Sequence, residues 1–221
     1  MAQTDDFKGV YKAVGISSIL AAIFIIITLV SSLVPFEEVG EEVEEDEQRL
    51  LRASSNSLLW ALQSGSYIAF WLFLIPLFPA LYLALRGVQH TYAFIAATVG
   101  EVGVIIGLTG AGMFYSVLSL SKSYAAASGV EKTAIVAASQ AMNASVNVSV
   151  SLGFLLTGVA LIIVGLAMLK GVFNKGVSGL GIVTGILLLA AAIPFIAALF
   201  VVAGLGFIIW LVAVGLRLYK L

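Results

Sequence analysis

GVSGLGIVTGILLLAAAIPFIAALFVVAGLGFIIWLVAVGL, residues 176–216, runs for 41 positions without one charged side chain. As a single helix rising 1.5 Å per residue it would be roughly 60 Å long, about twice the hydrocarbon thickness of a bilayer. It therefore reads as two membrane spans, 176–194 and 197–217. Pro194 lies near the middle and disfavours helix at the residue before it, which places the reversal there.

The same length rule, about 20 apolar residues per crossing, gives four earlier spans at 13–34, 57–85, 91–120 and 148–169. The first follows Lys8 and Lys12, as a signal peptide would. At about 22 residues it is too long for a signal h-region and has no evident small-x-small cleavage site, so it reads as a retained helix. Composition agrees: 61% of residues are hydrophobic and 10% charged, with a mean hydropathy of +1.12, against about 25% charged in soluble domains. The expected fold is all-α, a polytopic six-span bundle forming one transmembrane domain over 1–221.

Orientation follows the basic residues at the span ends. One side receives Lys8, Lys12, Arg86, Lys170, Lys175, Arg217 and Lys220 in short segments; the other receives Arg49, Arg52, Lys122 and Lys132 in two longer loops. That asymmetry predicts a cell-membrane protein with both termini in the cytoplasm (N-in/C-in).

The loop 35–56 holds Glu37, Glu38, Glu41, Glu42, Glu44, Glu45, Asp46 and Glu47. Such density reads as a solvated, mobile segment, or an attractor of cations or a basic partner. It lacks the alternation of a calcium loop. The loop 121–147 reads as partly helical, with Ser128-x-x-Glu131 spaced as a capping box. Asn143-Ala-Ser145 and Asn147-Val-Ser149 match the glycosylation sequon on the side expected to be external.

Inside the spans, Glu101 is the one acidic residue. It lies about 15 Å into the third helix, where an ionised group costs several kcal/mol. No Lys or Arg within a span can pair with it, so the simplest resting state is a neutral acid bonded to a carbonyl or hydroxyl. At 100° per residue His90, Glu101, Tyr115 and Ser119 fall near one line, flanked by Thr98 and Thr109. Gly100, Gly103, Gly107 and Gly110 form a stripe on nearly the opposite face, suited to close helix packing. This pattern predicts a third helix at the bundle centre, its polar line turned to an interior. Gln63, Ser64, Ser66 and Tyr67 in the second span offer a second polar wall, and Pro76 and Pro79 free backbone carbonyls nearby. Glu101, Tyr115, Thr98, Thr109, His90, Gln63 and Tyr67 are thus the candidate ion- or ligand-binding residues. The bland alternative is that Glu101 is a protonated packing residue.

Chemistry is largely excluded. The absence of cysteine removes disulfides, thiolate metal sites and thiol nucleophiles, and a lone histidine cannot build a histidine-rich metal site. No H-E-x-x-H, P-loop, G-x-S-x-G or aspartate pair occurs, and no nucleic-acid-binding pattern. No enzyme, catalytic residue, metal or cofactor is expected. Trp60, Trp71 and Trp210 read as interfacial or packing residues.

Two stretches resemble a family of small six-helix prokaryotic membrane proteins classified as a domain of unknown function. They are Leu81-Tyr-Leu-Ala-Leu-Arg86, and Leu152 to Ala192 with Gly158–Lys170, the loop Gly171–Lys175, Gly179 and Gly185. The chain departs from the family where a basic residue is common in the third helix, here Thr98 and Glu101, and lacks the usual proline of the fourth-to-fifth loop. The resemblance implies six helices and no particular activity. Two function classes are open: a non-catalytic accessory or structural component, and a small proton- or cation-coupled carrier or channel using Glu101. Expected partners are membrane lipids, with a protein component or further copies of the chain.

Overall fold

The computed structural model describes residues 7–33, 45–171, 173–191 and 197–221. They form seven helices: α1 Lys8–Ser32, α2 Glu45–Ser55, α3 Ser57–Leu74, α4 Leu77–Ala126, α5 Val130–Met168, α6 Lys175–Ala191 and α7 Ala197–Tyr219. No strand occurs among the described residues. Lys8–Ser32, Ser57–Ala126, Val130–Met168 and Val201–Tyr219 are long and apolar enough to cross a membrane; Lys175–Ala191 is apolar but shorter. The expected turn at Pro194 lies outside the described residues.

Ser57–Ala126 is not one rod. Gln89 leaves the helical region (φ −143°, ψ 64°), and the chain folds back there. Trp71 then meets Gly107, Phe78 meets Gly100, and Tyr82 meets Phe94. These pairings run antiparallel, so α3 with the first limb of α4 makes one leg and the second limb the next. Within the first leg the ladder tightens at the prolines, Ile75 N–H bonding Leu72 O at 3.3 Å. The backbone of Ile75 and Pro76 stays right-handed, so the leg bends without breaking. Ser17 Oγ of α1 donates to the neighbouring Phe73 carbonyl at 2.7 Å. A carbonyl at the proline bend thus finds a side-chain donor.

The legs close into a ring in chain order, α1 beside α3, then α4, α5, α6 and α7, with α7 returning to α1. Glycines permit the close approach at several seams. A Cβ on Gly15 would lie 2.6 Å from Gly215 O, on Gly103 2.9 Å from Gly153 O, and on Gly185 2.5 Å from Gly158 O. Tyr219 and Lys12 meet at one end of the α1–α7 seam, so the described termini share an end of the bundle.

Phe70 of α3, Phe154 of α5 and Phe207 of α7 meet in the middle, with Trp71 against Phe154 and Trp210 against Phe207. Their helices are not ring neighbours, so these rings cross the interior. Phe70, Trp71 and Trp210 are fully buried. The aromatic cluster is a plug.

The opposite end carries a second, smaller core. Here, for residues 45–55, the structure corrects the expectation of a solvated, mobile segment, because they form α2. Leu50 and Ala53 are fully buried beside Trp60, Val117 and Tyr124. Glu45, Asp46 and Glu47 occupy the first turn of α2 and Arg52 the last, which complements the helix dipole. Tyr124 Oη donates to Glu47 Oε1, and that bond pushes the Tyr124 phenol up to about 12. Glu37, Glu38, Glu41, Glu42 and Glu44 lie outside the described residues. The expected capping box is also corrected. Gly129 is the N-cap of α5, at φ 56°, without a side-chain cap bond, and Glu131 N–H bonds the backbone carbonyl of Ser128. A left-handed turn at glycine reverses the chain tightly, so no hydroxyl is needed.

Candidate functional site

The glycine stripe on α4 packs as its spacing suggests. Gly100 and Gly107 face Phe78 and Trp71 of the preceding leg, whereas Gly103 and Gly110 face Gly153 and Val150 of α5. Both neighbours therefore occupy one arc of the helix, and the polar line opposite lies on the outside of the bundle. That corrects the expectation of an interior-facing line. Thr98 and Thr109 are exposed and bond back to Phe94 O and Ile105 O of their own helix, each at 3.0 Å. Tyr115 is 46% exposed and Ser119 is exposed. His90 lies at the reversal after Gln89, its Nε2 3.2 Å from Tyr82 Oη. Glu101 is half-buried at the edge of this face, and its Oε2 is covered without a hydrogen-bond partner among the described residues. The structure does not gather these residues around a common space.

It does gather others. At the α2 end the ring opens into a vestibule of about 260 Å³ walled by Thr28 of α1, Gln63 and Tyr67 of α3, Phe114 of α4, and Asn143, Val146, Asn147 and Val150 of α5. Arg49 of α2 caps it. A contiguous space of about 150 Å³ shares Arg49, Gln63 and Phe114 and adds Ser32, Glu45, Arg52 and Trp60. Tyr67 stacks on Phe70, so the floor of the vestibule is the aromatic plug. Of the residues singled out from sequence, Gln63 and Tyr67 belong here, as do both sequon asparagines. Asn143 is half-buried, its amide donating to Asp46 Oδ1 at 3.4 Å, while Asn147 is exposed. A glycan on Asn143 would displace that contact.

The polar groups around this space are mostly donors short of acceptors among the described residues. The Arg49 side chain is 23% exposed and reaches Glu45 (3.8 Å) and Asp46 (3.6 Å) on its own helix, both beyond hydrogen-bond length. Arg52 Nη2 has a long contact with Gln48 at 3.4 Å, and its Nε is buried without an acceptor among those residues. Trp60 is 5% exposed, stacks on Phe114, and its Nε1 is likewise unpaired. Asp46 is shared between Arg49 and the Asn143 amide, Glu47 is taken by Tyr124, and Glu45, 91% exposed, edges the smaller space 3.8 Å from Arg49. Buried donors without acceptors are costly unless something fills the site. An acceptor-rich, anionic group suits the guanidinium groups of Arg49 and Arg52 that line this space. Sequence reasoning missed Thr28, Arg49, Arg52 and Trp60. The signal for the arginines was their spacing, Arg49 and Arg52 three apart beside Leu50 and Ala53, an amphipathic turn inside an acidic run.

No curated protein matches the chain, and no solved structure does. A family profile does match, over residues 13–215, and it is described as a domain of unknown function, DUF4386; the chain belongs to that family.

Proposed function

We propose that this is a six-span, non-catalytic accessory component of the cell membrane, both termini cytoplasmic, which binds an anionic group in its outer vestibule without conducting it. The observation that carries the reading is that Arg49, Arg52 and Trp60, donors short of acceptors among the described residues, line a space next to a cavity floored by aromatic rings. A plug spanning α3, α5 and α7 opposes a through-path. Spans at 13–34, 57–85, 91–120, 148–169, 176–194 and 197–217 put α2 and the vestibule outside, in line with the basic residues of the other end.

Binding is tested on the purified protein by quenching of Trp60 emission with glycerol phosphate. Arg49→Gln should weaken binding about ten- to hundredfold, the loss of a charge-assisted bond of about 1.5–3 kcal/mol. Equal affinity in the variant refutes the assignment. The chain has no cysteine, so Ser54→Cys and Lys220→Cys, made singly, report orientation directly by labelling from either side.

A small proton- or cation-coupled carrier or channel is the second reading, favoured by Glu101 Oε2, which has no partner among the described residues. It requires Glu101→Gln to abolish pH-dependent flux in vesicles. The accessory reading expects no flux in either protein.

A further inference from the structure

We propose that the anionic group is the head of an amphiphile, and that its chain leaves the vestibule along α1 and exits between α1 and α7. The inference rests on the vestibule reading and adds the chemical class of the ligand. A second cavity of about 90 Å³ lies on the inner face of α1, lined by Ile25, Leu29, Phe154, Leu188 and Phe207, with Val201, Gly204 and Leu205 of α7. Among the described residues, no charged side chain lines it.

No residue lines both spaces, but their linings come within one helical turn of each other on two walls. Thr28 of α1 faces the vestibule while Ile25 and Leu29 face the apolar compartment. On α5, Val150 faces the vestibule and Phe154, one turn on, the apolar compartment. A polar space with donors at its mouth therefore lies within one helical turn of an apolar space. The seam between α1 and α7 explains why the second space exists. Gly15 and Gly215 hold the helices in backbone contact at the end where the termini lie. Toward the other end a Cβ on Gly204 would meet nothing within 4 Å. Val201 and Leu205 are 65% and 54% exposed, so the compartment opens to the outside of the bundle. In a membrane that outside is lipid. A phosphate head on Arg49, Arg52 and Trp60 with an acyl chain in this seam uses both spaces, whereas a soluble anion uses only the first.

The test compares phosphatidylglycerol with phosphatidylcholine of the same chains, and with soluble glycerol phosphate. Native mass spectrometry of the full-length protein in an equimolar lipid mixture should show retention of phosphatidylglycerol about tenfold over phosphatidylcholine, and Arg49→Gln should erase the preference. Gly204→Phe fills the open compartment and should cut phosphatidylglycerol retention about tenfold while leaving glycerol phosphate affinity unchanged. Val201→Trp blocks the same opening from the next turn and serves if Gly204→Phe does not fold. Should both variants retain phosphatidylglycerol like the wild type, the chain route is wrong, yet the anion site stands if glycerol phosphate still binds. If the wild type binds neither probe, both readings fall together.

Discussion

Helix α6 contains two glycines that test the ring's packing against itself. A Cβ on Gly185 would sit 2.5 Å from Gly158 O, 2.8 Å from Ile162 Cγ1 and 3.1 Å from Ile162 N. A carbon approaches a carbonyl oxygen comfortably at about 3.3 Å or more, so α5 and α6 would have to part by about 0.8 Å. Two of the three obstacles are backbone atoms and cannot rotate away. Overpacking of this kind costs about 1–3 kcal/mol. Replacing a helical glycine by alanine returns about 0.5–1 kcal/mol of backbone entropy. Gly185→Ala should therefore destabilise by about 0.5–2 kcal/mol. Gly179, nearly two turns earlier on the same helix, has nothing within 4 Å of the position its Cβ would take. Gly179→Ala should stabilise by about 0.5–1 kcal/mol. Reversible unfolding in mixed micelles, titrated with dodecyl sulfate and followed by tryptophan emission, measures both. Equal stabilities for the two variants, or Gly185→Ala at wild-type stability, would refute the close-packed seam.

Ser17→Ala removes the hydroxyl that donates to the Phe73 carbonyl, 2.7 Å away, at the proline bend. The expected loss is about 1–2 kcal/mol in the same titration, with Ser17→Thr retaining most of it. Tyr124→Phe removes the bond that docks α2 through Glu47 and should raise amide exchange across residues 45–55 at neutral pH. The Tyr124 phenol ionises near 12 when folded and near 10 when unfolded, so its contribution is complete below pH 10 and disappears as pH rises through 12. Wild-type Trp60 emission should accordingly change between those limits while Tyr124→Phe stays flat; matching profiles would remove Glu47 from the docking of α2.

The positions of the helices were legible because an apolar run of bilayer length is seldom compatible with anything but a membrane crossing. The glycine stripe of α4 was legible too, since small residues at helical spacing mark contact whichever neighbour supplies it. What the wheel could not reveal was the arc each neighbour takes. Trp71 and Gly153 both approach α4 from the glycine side, leaving Glu101, Thr98 and Thr109 toward the outside. A polar line opposite a packed line looks like an interior surface only if the helix is assumed to be central. Helix α2 was hidden for a different reason. Charge density in the acidic run outweighed the period of Leu50 and Ala53, and their partners Val117 and Tyr124 are far along the chain. Gln63 and Tyr67 were visible as polar residues in one half of an apolar run, whereas the arginines that complete their site come from a segment whose charge alone suggests a solvated loop.

Closure of the ring by its first and last helices has a consequence for biogenesis. Gly15 on α1 must wait for Gly215 on α7, so α1 receives this neighbour only after all the helices between them have been made. Until then the interior also lacks Phe207 and Trp210. A nascent chain arrested before α7 would present an open arc with an incomplete centre, a form that quality-control machinery can distinguish from the finished protein by its unclosed side. The proximity of Lys12 and Tyr219 further means that α1 and α7 can be joined there by a short linker and the chain reopened at Gly129, giving a permuted protein in which α1 and α7 are made as neighbours.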